Sequence, residues 1–221
     1  MRVLEIFKGT GSVGKVFEQA GWEVVSVDVE SRYVPTHVAN VLEWDYTMYP
    51  PGYFDYAHFG IPCTEYSQVM TGRPRKLDEA DALVSRALEM LVYFRPRWFT
   101  FENPWGGLLK TRPIMQCLKP FLKRCCYCKY AEKDETWCYR KETAIWTNIK
   151  WTPRPLCRKN TPCEWFDGKC HPMCAQTHDP KPRANRLSGS TKLTRERVFS
   201  MPPSLIREWL ECIEEEKLNK N

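Results

Sequence analysis

The chain has 221 residues, of which 43% are hydrophobic, and a net charge of +6, the make-up of a soluble protein with one sizeable core and a small appendage. No apolar run is long enough to span a bilayer, and Arg2 and Glu5 interrupt the start, so a membrane protein and a signal peptide are excluded and an intracellular protein is expected. Eleven cysteines in such a compartment point to reduced thiols and metal ligation rather than disulfides, and the modest positive charge permits a polyanionic partner without demanding one.

In chain order, residues 3–7 form a short apolar run ending in glycines, the pattern of a buried strand. Residues 9–20 read as a loop entering a helix that Gly21 closes. A second strand, 23–27, ends at Asp28; a short third covers 38–41; a fourth, 53–59, runs into Gly60 and Pro62. Residues 77–94 predict an amphipathic helix with Leu83, Val84, Ala87, Leu88, Leu91 and Val92 on one face. The strand 98–101 precedes Glu102-Asn103-Pro104, and 113–123 predicts a further helix. Past Cys125 the composition turns to Cys, Trp, Pro and basic residues, a loop-rich insertion with one strand at 143–149. A helix over 204–218, opened by Pro202-Pro203, ends the pattern. The expected units are 1–124, a catalytic and cofactor-binding domain; 125–190, a Cys-rich insertion; and 191–221, a segment and helix packing back on the first.

Strands alternating with helices predict an α/β fold, a mostly parallel sheet with helices on both faces. Such sheets bind ligands beyond the carboxyl ends of their strands, and Gly9, Asp28, Cys63 and Glu102 all fall there. Gly9-Thr10-Gly11-Ser12-Val13-Gly14 is a full G-x-G-x-x-G between a strand and a helix, where a nucleotide approaches the backbone, and Asp28 can accept bonds from ribose hydroxyls. The alternatives are a tight turn with no ligand, or a phosphate loop. The latter lacks its hydroxyl, since Val16 follows Lys15. Cys63 stands in a polar, proline-interrupted loop, the setting of a nucleophilic thiol, against the plainer reading of a packed cysteine. Glu102 leaves an apolar strand, as an acid for the same crevice or as a cap.

Cys157-x5-Cys163-x6-Cys170-x3-Cys174, with His171 and His178 nearby, predicts a structural zinc ion for a segment too small to bury a core. Cys125, Cys126, Cys128 and Cys138 read instead as packing within a strand. The run from Lys181 to Arg197 is rich in cations, a solvated loop or a phosphate-facing one.

Together these segments resemble the cytosine-C5 DNA methyltransferases. Leu4 to Gly11 looks like their cofactor loop, Pro62-Cys63 with Ser67 like their Pro-Cys motif, and Glu102-Asn103 like their Glu-Asn motif, over roughly residues 1–110. The chain is most similar to compact phage and large-virus DNA methylases, which share Glu-Asn-Pro and an Ile-Trp-Thr-Asn segment like 145–148. The resemblance implies a Rossmann-like class I fold that binds S-adenosyl-L-methionine at Phe7, Gly9, Thr10, Gly11, Gly14, Asp28, Val29, Asn40, Val41, Pro62 and Ser200. It implies that Cys63 adds to C6 of cytosine, that Glu102 holds N3, and that Arg140 or Lys141 orients a flipped or single-stranded base. The chain departs from the family at Ile61, where a proline is usual, at Asn40, where an acid often contacts adenine, and at Arg140-Lys141-Glu142-Thr143, which stands in for an Arg-x-Arg motif. The basic loop 66–76 is expected to close over the base, and the short insertion to read a short or relaxed target. The partner is then DNA, with RNA or an inactive nucleic-acid binder as alternatives. A monomer is expected, in host cytoplasm or nucleus if the source is viral.

Overall fold

The computed structural model describes residues 1–132, 138–166, 168–169, 171 and 195–219. Strands β1 (Arg2–Ile6), β2 (Glu23–Asp28), β3 (His37–Val38), β4 (Tyr56–Gly60), β5 (Trp98–Pro104), β6 (Leu122–Cys126) and β7 (Glu142–Thr147) form one sheet in the order β3-β2-β1-β4-β5-β7-β6. Every pairing from β3 to β5 is parallel, and β7 runs antiparallel to both its neighbours.

Side-chain alternation along each central strand feeds two cores. Leu4 and Ile6 of β1, Ala57 and Phe59 of β4, and Phe99 and Phe101 of β5 face one way, onto helix α2 (Leu77–Phe94). Val3, Tyr56 and Trp98 face the other way, onto α1 (Ser12–Gln19) and the terminal helix. Helices therefore cover both faces, as the alternating pattern predicts. The chain closes with a short helix, α3 (Arg195–Phe199), and then α4 (Pro203–Leu218), whose Leu205, Ile206, Trp209 and Ile213 are buried.

The structure corrects the sequence in places. The buried stripe of α2 is Ala80, Val84, Ala87, Met90 and Phe94, while Val92 is 71% exposed. The stripe advances by three or four residues at each step, and Val92 falls between two of them. The helix ends at Arg95, whose left-handed φ of 49° turns the chain out. Residues 113–123 do not form an α-helix: a 3₁₀ helix, Pro113–Phe121, passes into β6 at Leu122. Pro120 lacks the N–H that an α-helical bond needs there. β6 thus begins before the boundary expected at 124, and the sheet continues through it. The third strand, expected over 38–41, is instead His37–Val38, so only Val38 is shared. No helix among the described residues is long and apolar enough to cross a membrane.

Candidate functional site

The carboxyl ends of β1, β2, β4 and β5 open into one cavity of about 510 Å³, within the ~300–1,000 Å³ typical of small-molecule sites. One side is built by the loop after β1. Phe7 sits at φ 59°, a left-handed conformation that costs a non-glycine residue about 1–3 kcal/mol, and its ring lines the cavity. Gly9 and Gly11 follow at φ 47° and 67°, where a side chain would add the same strain. The Gly9 N–H donates to Asp28 Oδ2 at 2.7 Å, and Glu30 N–H donates to Oδ1 at 2.8 Å, so the end of β2 holds the glycine loop in place.

Beneath this loop lies Glu5, 2% exposed, which accepts the Val13 N–H at 3.2 Å. Burial pushes its carboxyl up to about 7, although N–H groups at Gly14 and Val13 pull the other way. A Cβ on Gly14 would lie 2.6 Å from Glu5 Oε2 and 3.1 Å from Val24 Cγ1, so this glycine is required by the packing of loop on strand.

The other side of the cavity comes from β4, β5 and β7. Gly60 and Glu102 are direct partners in the β4–β5 register. The loop after Gly60 carries Cys63 back toward Glu102, and Asn103 Nδ2 donates to Ile61 O at 3.0 Å to hold that loop. The half-buried Cys63 thiol is raised by burial and then by the Glu102 carboxylate, and the Lys141 ammonium partly offsets both. Glu102 Oε1 accepts the Tyr127 hydroxyl at 3.0 Å and lies 3.8 Å from Lys141 Nζ. Lys141 Nζ also donates to Val198 O at 2.9 Å and stands 4.7 Å from the Tyr127 ring centre.

Of the residues singled out from sequence, Phe7, Gly9, Thr10, Asp28, Val29, Asn40, Val41, Pro62, Cys63, Glu102 and Lys141 line this cavity. Gly11, Gly14, Ser200 and Arg140 are not among its walls. Ser200 lies in a neighbouring groove with Lys15, while Met201, next in the chain, borders both spaces and donates its N–H to Ser12 Oγ at 3.1 Å. Arg140 points away, its Nη2 2.5 Å from Glu142 Oε1. Tyr127 escaped the sequence reading: a fully buried tyrosine looks like core, and only the β6–β7 register brings it to Glu102. The cations expected to face phosphate are engaged by the loop and its flanks: Arg73 pairs with Glu65, Arg75 donates to Ser67 O at 3.0 Å, and Lys76 pairs with Glu79 of α2 at 2.9 Å.

A second group lies beyond the sheet edge. Cys128, Cys157, Cys163 and His171 bring one ligand atom each to within 4.8 Å of one another, a donor set suited to a metal ion. Cys157 and Cys163 were expected there; Cys170, Cys174 and His178 lie outside the described residues, as does the basic run up to residue 194. Cys128, read as packing, joins the group because the turn after β6 aims it at the insertion.

No family model matches the chain. It is 31% identical, over 96% of its own length and 99% of the other's, to a probable DNA (cytosine-5)-methyltransferase of Frog virus 3 (isolate Goorha). Among solved structures, the Entamoeba histolytica methyltransferase EhMeth superposes with a TM-score of 0.56 at 12% identity, over 98% of each chain. A putative DNA modification methyltransferase encoded within an E. coli prophage gives 0.50 at 13% identity, over 71% of this chain and 52% of that one. At such identities these two structures speak for the fold alone.

Proposed function

The chain belongs to the DNA (cytosine-5)-methyltransferases and is a methyltransferase, and from that premise we propose that it methylates C5 of cytosine in DNA through a covalent adduct at Cys63. The observation that carries this reading is the single cavity in which Cys63, Glu102 and Lys141 face the glycine loop.

The residues fit S-adenosyl-L-methionine. Phe7 offers an aromatic face for the adenine, Asp28 keeps acceptor capacity for ribose hydroxyls beside its two backbone donors, and Asn40 and Val41 border the same end. Bound there, the cofactor would supply an electrophilic methyl group to C5.

The protein's own groups handle the pyrimidine. Burial keeps the Cys63 thiol protonated at rest, so its proton must leave as the S–C6 bond forms. Glu102 takes that proton and delivers it to N3, where it neutralises the charge released by breaking the C5=C6 double bond. Lys141 and Tyr127 hold the Glu102 carboxylate for this transfer. After methylation a solvent-derived base removes the C5 proton, the electron pair rebuilds C5=C6, and the sulfur leaves as thiolate. N3 returns its proton to Glu102, which passes it to the Cys63 thiolate. A stacked base cannot reach this cavity, so the cytosine is flipped out. Residues 125–190 read the target, and the loop 66–76 exchanges its internal ion pairs for phosphates as it closes. A structural zinc ion in the Cys-rich stretch accompanies this reading without depending on it.

The test is nucleoside mass spectrometry after incubation with the cofactor and duplex DNA, with RNA in parallel. 5-Methylcytosine is expected from DNA, and Cys63→Ser should remove it entirely. DNA carrying 5-fluorocytosine should retain the chain covalently, because fluorine cannot leave as a proton does. Product from Cys63→Ser would end the covalent scheme.

A further inference from the structure

The thiols beyond β6 occupy a distinct small core. Cys126, Cys128, Cys157 and Cys163 are buried together, with Leu156, Trp165 and Phe166 packed around them. The stretch from Trp151 to Phe166 that supplies two of these cysteines contains no strand or helix, only the bridge between Arg158 and Thr161. Apolar burial this sparse does not by itself order such a loop.

The four donor atoms, all within 4.8 Å of one another, are spaced for a closed four-coordinate site. His171 Nε2 lies 3.2 Å from Cys163 Sγ and 3.5 Å from Cys157 Sγ. Bonds of about 2.3 Å to sulfur and about 2.0 Å to nitrogen set tetrahedral donors roughly 3.5–3.8 Å apart, so these atoms need open by only a few tenths of an ångström. Three soft thiolates and one imidazole select zinc over magnesium or calcium, which prefer oxygen.

The site is also joined to the methyl-transfer cavity through the residues next to its ligands. Cys128 follows Tyr127, whose hydroxyl donates to Glu102 and whose N–H donates to Lys141 O at 3.0 Å. Cys157 precedes Arg158, whose guanidinium grips Glu142, the residue after Lys141. Two ligands from separate segments thus each stand one residue from a contact on 141–142 or Glu102.

We propose that Cys128, Cys157, Cys163 and His171 bind a structural zinc ion, and that this ion clamps the turn carrying Tyr127 to the insertion so that Tyr127 and Lys141 stay on Glu102. Cys126, although its Sγ lies 3.3 Å from that of Cys128, is a neighbour rather than a ligand, since it stands on β6 opposite Glu142. The first half of the proposal is independent of the methyl-transfer reading; the second half rests on it.

Elemental analysis of the full chain, purified without a metal-affinity tag, should give one zinc per chain. Cobalt in its place should give the visible bands of a tetrahedral thiolate site. Cys128→Ser and His171→Ala should weaken zinc at least tenfold in competition with a chromogenic chelator, His171→Cys should restore it, and Cys126→Ser should leave it unchanged. Absence of zinc from the natural chain, or full affinity in Cys128→Ser, overturns the site. Chelation should lower kcat severalfold while calorimetry shows cofactor binding unchanged, and a zinc-free chain with full kcat overturns the clamp. A zinc-loaded chain that methylates no cytosine would sink the methyl-transfer reading and leave the metal count standing.

Discussion

The two ends of this sheet are held by different forces. From β3 to β5 the strands are parallel, their side chains feed two apolar cores, and the glycine loop is fastened by the Gly9 and Val13 N–H groups, which donate to the Asp28 and Glu5 carboxyls. From β7 outward, Ala144, Ile145 and Trp146 still enter the two cores, but charge and sulfur are added to hydrocarbon. Glu142 is gripped by Arg124, Arg140 and Arg158, and the thiols gather past β6. The lesson is one of placement. The glycine-loop end is built for rigidity that salt does not touch, and the far end is built from interactions that salt and metal can tune.

Three substitutions press on that contrast. The largest effect is expected at Glu5. Its folded carboxyl titrates near 7 against an ordinary 4.5, so between these values the folded chain holds a proton that the unfolded chain has lost. Stability contributed by the neutral form is therefore complete below about 4.5 and is lost as pH rises through about 7. Glu5→Gln cannot ionise and should escape this loss, gaining up to about 3 kcal/mol over the natural chain by pH 8. Urea melts of both at pH 4.5 and pH 8 measure it; a constant difference between the two chains would show Glu5 to be freely hydrated.

Gly14→Ala comes next. The added Cβ meets Glu5 Oε2 and Val24, which cannot both give way, and the cost should be about 2 kcal/mol whatever the ionic strength. At the other end, Glu142→Gln should cost about 1 kcal/mol. The three guanidinium groups are each about a third to a half exposed, so solvent discounts the charge it removes. Burial raises the Glu142 carboxyl, but bonds from Arg158, Arg124 and Arg140 outweigh it and hold the group at about 2. Its contribution is thus present above the ordinary 4.5 and lost as pH falls toward 2, and 0.5 M salt should shrink the difference between natural chain and variant. Melting both variants in low and high salt sharpens the contrast. A salt-sensitive Gly14→Ala or a salt-blind Glu142→Gln would break it.

The same division decided what the residues alone revealed. The short apolar run of β1, the glycines after it, Asp28 after β2 and the Gly60–Cys63 turn are local signals, and the structure brings them to one cavity. The 3₁₀ helix before β6 was misread because apolar spacing outweighed Pro120. Past Cys125 the determinants are long-range. Cys128 meets its companions only after the insertion folds back, and Lys141 rather than Arg140 reaches Glu102 because alternate residues of an extended segment point to opposite sides. No spacing in the chain encodes either fact.

The bond from Asn103 to the Ile61 carbonyl ties the thiol loop to the strand that bears the acid. Its consequence is a fixed gauge: the backbone that carries the sulfur and the backbone that carries the carboxyl travel as one jaw, and the outer edge of the sheet acts on the carboxyl through Tyr127 and Lys141. Residues beyond β6 can then change without altering the span between those two backbones.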